Sequence, residues 1–203
     1  MSTISFAITV CNEHIELERL LQQLAKSINQ DDEIVIQLDT TATTEVKHVV
    51  DSWSTMKRVD FALNGDFASF KNNLKTHCSK DWIFFIDADE YLSDGLLEHI
   101  HEILDLNKGL VDVIAVPRIN TVDGLTEDHI YKWKWFVNEN RWINYPDYQT
   151  RICINKSEIQ WVGKVHERLS GWKTIATLPE GYDLIHPKTI ERQEQQNQFY
   201  DKI

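Results

Sequence analysis

Asp87, Ala88, Asp89 and Glu90 follow directly on an unbroken apolar run, Trp82 to Ile86. Two aspartates separated by one residue are hard oxygen donors that can approach a divalent cation directly or through water, which makes Mg or Mn the natural candidate. Five bulky residues without polar alternation suit a strand covered on both faces, as in a parallel sheet, and ligands gather at the carboxyl ends of such strands. The bland alternative is that the two acids only solvate a strand end ahead of the helix that Ser93 can cap. A second chemical region runs from Ile130 to Lys173. It holds eight Lys and Arg against four Asp and Glu, with five of the seven tryptophans, so it is +4 while the remainder is −15.

The elements that must position these residues are legible from periodicity. Ile4 to Val10 reads as a strand, and Leu17, Leu20, Leu21, Leu24 and Ile28 recur at helical spacing behind it. Ile34 to Leu38 is a second strand ending at Asp39, with a helical stripe of Val46, Val49, Val50 and Trp53. Arg58 to Leu63 is a third strand candidate. Asp66 can cap a helix carrying Phe67, Phe70, Leu74 and Cys78, and Ser93 one carrying Leu96, Leu97, Ile100, Ile103 and Leu104. Val111 to Val116 closes the series. Strands alternating with single helices imply crossover units and a mostly parallel sheet. Past Pro117 the rhythm gives way to aromatic sequence with short strand candidates at Thr150 to Ile154, Ile159 to Val162 and Thr174 to Leu178. This half is expected to cover the first, and a final helix is expected to open at His186-Pro187 and run to Ile203.

Composition narrows the setting. The 203 residues suffice for one substantial core and contain no linker-like stretch. No apolar segment approaches the roughly 20 residues that cross a bilayer, and Met1 to Phe6 lacks a secretory signal, so the expectation is a cytoplasmic chain or one peripheral to the membrane. Cys11, Cys78 and Cys153 are odd in number and scattered, hence expected as reduced thiols. A net charge of −11 weighs against nonspecific binding to nucleic acid or an anionic surface.

Val10-Cys11-Asn12-Glu13 resembles the T-Y-N-E signature of family 2 glycosyltransferases of the GT-A fold. Phe67 to Asn72 followed by Asp81 to Glu90 is similar to their R-N, G-D-W and D-A-D-E stretch. Arg151 to Ile154 and Trp161 to Glu167 are similar to the R-L-F and V-H-E elements of the branch that includes lipopolysaccharide-core glucosyltransferases. These matches, in order, cover nearly the whole chain. The resemblance implies a single α/β domain of the GT-A, Rossmann-like type over residues 1–203. Residues 1–116 would form its nucleotide-sugar and metal-binding half, and 117–203 an aromatic-rich acceptor half with the C-terminal helix.

It also implies roles. Asp89 would be the metal ligand and Asp87 a contact to ribose or metal-bound water, with the cation, Mn or Mg, stabilising the departing diphosphate as a Lewis acid. Asp39 would meet the base, and Asn12 and Glu13 would border the nucleotide. Lys71 replaces the usual Arg, keeping the charge but losing its bidentate fork. His186 is a candidate second metal ligand. An inverting displacement needs a base for the acceptor hydroxyl. Glu167 is the candidate, with His166 beside it to orient it and Asp147 as competitor. Trp133 and Trp135 are candidate acceptor-facing rings, since Trp133-Lys134-Trp135 is awkward to bury.

The expected function is metal-dependent, inverting transfer of a sugar from a nucleoside diphosphate sugar, a UDP-sugar favoured, to a saccharide or glycolipid hydroxyl. Glycosylation of a modified base in DNA is an alternative, as stacking and phosphate contact use the same residue types, although the acidity disfavours a nucleic acid partner. Other classes are a noncatalytic sugar- or nucleotide-binding module and a glycosidase or nuclease with paired carboxylates.

Overall fold

A computed structural model describes the backbone of residues 1–200 and the side chains of residues 1–198. The chain opens with β1 (Ile4–Val10), α1 (His14–Leu24), β2 (Glu33–Asp39), α2 (Thr44–Ser52), β3 (Lys57–Phe61), α3 (Phe67–Thr76) and β4 (Trp82–Asp87). It continues through β5 (Tyr91–Leu92), α4 (Asp94–Asn107), β6 (Val113–Val116), β7 (Arg118–Asp123) and α5 (Glu127–Trp133). Then come β8 (Gln149–Ile154), β9 (Gln160–Val162), β10 (Arg168–Ser170), β11 (Ile175–Thr177), β12 (Leu184–Thr189) and α6 (Ile190–Tyr200). Asp66 and Ser93 accept from the backbone N–H of Ser69 and Leu96 and so cap α3 and α4 as their types predict.

Seven strands form the central sheet in the order β11-β6-β8-β4-β1-β2-β3. All run the same way except β8, which is antiparallel to both its neighbours. The apolar run of β4 is buried on both faces, as its composition demands. Trp82, Phe84 and Ile86 pack with α1, α2 and α4 on one side, and Ile83 and Phe85 with α3, Trp161 and Leu169 on the other. Phe84 and Phe85 are 0% and 1% exposed, which contributes roughly 1.5–3 kcal/mol each relative to an exposed ring.

The second half of the chain does more than cover the first. β8 inserts between β4 and β6, and β11 adds an edge, so residues beyond 117 complete the sheet. The β9–β10 hairpin, antiparallel from Trp161 to Leu169, lies over the α3 face. Gly171 closes it at φ +86°, where a Cβ would stand 1.9 Å from the Glu158 carbonyl oxygen, so only glycine fits.

The last helix starts later than expected. His186 and Pro187 belong to β12, which pairs with β7 in parallel and with β5 only at Leu184 and Ile185. Pro187, lacking an N–H, stands past the reach of β5, and α6 begins at Ile190. The expected helix end at Ile203 lies outside the described residues. Among the described residues no helix is long and apolar enough to cross a membrane.

Candidate active site

A cavity of about 660 Å³ opens over the carboxyl ends of β1, β2 and β4 and is closed on the far side by β7, β12, the β9–β10 hairpin and α6. It gathers Glu13, Asp39, Lys71, Asp87, Asp89, Asp147, His166, Glu167, His186 and Trp135, residues that sequence analysis drew from widely separated segments. Asn12 and Trp133 do not line it. Asn12 is exposed at the turn after β1, where Glu13 holds the backbone by accepting from the N–H groups of Cys11 and Asn12 at 2.8 and 2.9 Å. Trp133 stands one ring back, stacked on His129 with centroids 5.0 Å apart and tilted against Trp135 at 4.7 Å.

At one end Asp39 is held in place by its own turn. Oδ1 accepts from the N–H and hydroxyl of Thr41, both at 2.7 Å, and Oδ2 accepts from the Leu63 N–H at 3.0 Å. A carboxylate so oriented keeps lone pairs for a further donor entering the cavity.

Asp87 is the last residue of β4 and lies opposite Thr9 of β1, whose hydroxyl donates to it at 3.0 Å. Its charge is met by Lys71 at 3.2 Å and Arg151 at 2.7 Å. Burial works against ionisation, yet those two cations hold the carboxyl well below the usual range. Glu90, fully buried, lies beneath: Oε1 receives Arg118 at 3.0 Å and Arg151 at 2.8 Å, and Oε2 accepts from the Asp87 N–H at 3.1 Å. Arg118, Arg151 and Glu90 had no role in the sequence reading. The signal was a charge inside the apolar strand Thr150 to Ile154 and another directly after the buried β6. Glu90→Ala should therefore lower stability by roughly 1.5–3 kcal/mol, because Arg118 keeps Asp147 and Arg151 keeps Asp87 but both lose the buried acceptor they share. Urea unfolding of the two proteins measures this, and a change below about 1 kcal/mol would contradict the network's role.

Asp89 points across the cavity to β12. Its Oδ2 lies 3.3 Å from His186 Nε2 and 3.6 Å from Arg192 of α6. Burial opposes its charge, but His186 and, more weakly, Lys188 keep its pKa below that of an ordinary aspartate. The tautomer of His186 follows from a relay. Asp147 accepts from Asn120 Nδ2 at 2.9 Å, which leaves Asn120 Oδ1 to accept from His186 Nδ1–H at 2.9 Å. A protonated ring donates Nε2–H to Asp89 directly, whereas a neutral one turns the Nε2 lone pair toward the carboxylate oxygen, and two acceptors at that spacing require a cation between them. Donors about 2.1 Å from an octahedral cation sit roughly 3 Å apart, so the pair fits adjacent positions of one metal ion. Among the described residues no group of three His, Cys, Asp or Glu side chains is placed to hold a metal alone.

The two base candidates separate cleanly. Asp147 Oδ2 is engaged by Arg118 Nε and Nη2 at 3.0 and 2.7 Å and by Asn120, while Oδ1 accepts from Gln149 at 2.6 Å. Despite partial burial, Arg118 and these donors hold its pKa down, which makes it a poor proton acceptor. Glu167 follows His166, whose φ of 55° turns the chain into the cavity. Its Oε1 meets Lys71 at 2.8 Å, and among the described residues no side chain is hydrogen-bonded to Oε2. Lys71 thus spans Asp87 and Glu167, with its ammonium 4.8 Å from the Trp161 ring centroid. A single ammonium does this without the fork of an arginine.

A mostly parallel sheet with carboxylates at the carboxyl ends of its strands, facing a second, smaller sheet across the cavity, is the arrangement of a GT-A fold. Residues 5–160 match the family described as Glycosyl transferase family 2, and the chain belongs to that family. Glycosyltransferase SunS, from the SPbeta prophage of Bacillus subtilis (strain 168), is 23% identical over 167 residues, covering 81% of this chain and 34% of that protein. The chain therefore spans about a third of the length of the curated relatives it matches. Among solved structures, S. aureus TarS 1–349 in complex with UDP superposes with a TM-score of 0.65 at 16% identity, over 92% of this chain and 60% of that one. Its complex with UDP-GlcNAc gives 0.62 at 16% identity, over 93% and 59%. At these identities the likeness is one of fold.

Proposed function

We propose that the chain transfers a sugar from a UDP-sugar to a saccharide or glycolipid hydroxyl with inversion, supported by a divalent cation. The observation that carries this reading is the facing of Asp89 Oδ2 and His186 Nε2 at 3.3 Å inside a cavity that also holds Asp39 and Glu167. The UDP and UDP-GlcNAc complexes of the structurally similar TarS support the choice of donor.

Asp39 receives the base, and the diphosphate extends from there toward Asp87 and Asp89. Asp89 and His186 would hold the cation, Mn suiting a mixed oxygen and nitrogen set better than Mg, and it would supply Lewis-acid stabilisation of the leaving diphosphate. Glu167 takes the proton of the acceptor hydroxyl on Oε2, while Lys71 on Oε1 keeps the carboxylate aimed. The acceptor oxygen attacks the anomeric carbon from the side opposite the diphosphate. Trp135 and the exposed Tyr148 at the mouth offer ring faces to the acceptor sugar.

Calorimetry with UDP in Mn and in chelator tests the reading. Affinity should rise at least about tenfold with Mn, and turnover of a UDP-sugar should need the metal. Equal UDP affinity in both buffers would remove the cation from the mechanism. A steep salt dependence of acceptor binding would instead point to a nucleic acid acceptor.

A further inference from the structure

The cations around the cavity are accounted for, with two exceptions. Lys71 pairs with Asp87 and Glu167, Arg118 with Glu90 and Asp147, and Arg151 with Asp87 and Glu90. Arg192 pairs with Glu13 and Glu16. Arg168 lines the cavity but is exposed. Lys188 is the other exception, and its position differs. It is half-buried, lines the cavity, and stands two residues beyond His186 on β12, which puts both side chains on one face of that strand. Its Nζ donates to Oε1 of Gln196 on α6. Among the described residues no carboxylate lies within salt-bridge distance of it. A partly desolvated ammonium whose direct partner is a neutral amide, with Asp89 acting on it only through space, keeps donors available for an anionic ligand in the cavity.

Resting on the donor chemistry proposed above, we infer that Lys188 binds the donor's diphosphate beside the Asp89–His186 pair and stabilises it as it departs. When the bond from the acceptor oxygen to the anomeric carbon forms, the bond from that carbon to the β-phosphate oxygen breaks and its electron pair stays on the phosphate. The acceptor's proton passes to Glu167. Lys188 donates hydrogen bonds to the phosphate oxygens, a contact that strengthens as charge accumulates there. Gln196 holds the ammonium toward the cavity from α6.

Calorimetry in Mn compares UDP with uridine, which lacks the diphosphate. Lys188→Met should weaken UDP binding roughly 10- to 100-fold and leave uridine binding unchanged. Gln196→Ala, which removes the amide that aims the ammonium but keeps its charge, should weaken UDP binding by less than Lys188→Met does and likewise spare uridine. If Lys188→Met does not fold, Lys188→Gln carries the same comparison. Unchanged UDP affinity in the lysine variant would overturn the inference while leaving the proposed function intact, and an equal loss for UDP and uridine would reduce Lys188 to a structural residue. Failure of the unaltered protein to bind UDP with Mn would overturn the proposed function and this inference together.

Discussion

Asp89→Asn should abolish the gain in UDP affinity that Mn confers and lower sugar transfer about a thousandfold, equivalent to roughly 4 kcal/mol of transition-state stabilisation. The substitution preserves shape while removing the charge that makes the oxygen a metal ligand. Asp89 Oδ2 is also 3.6 Å from Arg192 and 3.3 Å from His186, so a purely structural role is a real alternative. The two roles give different measurements. A structural aspartate would show a lower unfolding midpoint with the Mn-dependent increment in UDP affinity intact, whereas a ligand shows the reverse. Uridine binding is the internal control, because Asp39 at the far end of the cavity does not depend on Asp89. Retention of the Mn increment in the variant would take Asp89 out of the metal site.

The second large effect is expected at Glu167. Glu167→Gln should cut kcat by about 10² to 10⁴ while sparing UDP affinity, the signature of a lost proton acceptor. Lys71 keeps its contact with Asp87 at 3.2 Å, so the variant leaves no buried ammonium orphaned and its fold should hold. Near-normal turnover would return the role to Asp147, against the four hydrogen bonds from Arg118, Asn120 and Gln149 that now occupy its oxygens. A parallel drop in UDP affinity would mean that Glu167 chiefly neutralises Lys71 beside the donor.

The metal pair shows how far residue types alone could reach. Asp89 stands at a strand end that the apolar run from Trp82 announces, so its place at the carboxyl edge was readable. His186 was readable as a type but not as an element: Pro187 suggests a helix start, and only pairing with β7 makes it a strand residue. That pairing is also what presents the imidazole to Asp89 across 97 residues of sequence. The β8 strand gives a second case. Thr150 to Ile154 was readable as a short strand, but its insertion antiparallel between β4 and β6 was not, and that insertion brings Arg151 onto Asp87 and Glu90.

Local chemistry determined the alternation of strands and helices, the caps at Asp66 and Ser93, the double-sided burial of β4 and the placing of acids at its end. Each of these depends on contacts among near neighbours or on a periodicity that one segment carries by itself. The tertiary structure decided which charges meet. It tied Glu167 to Lys71, saturated Asp147 with Arg118, buried Glu90 beneath the site and set Lys188 against Gln196 of α6. Such pairings depend on strand order and on side chains converging from β4, β7, β8 and β12, and no spacing along the chain encodes a distance in space.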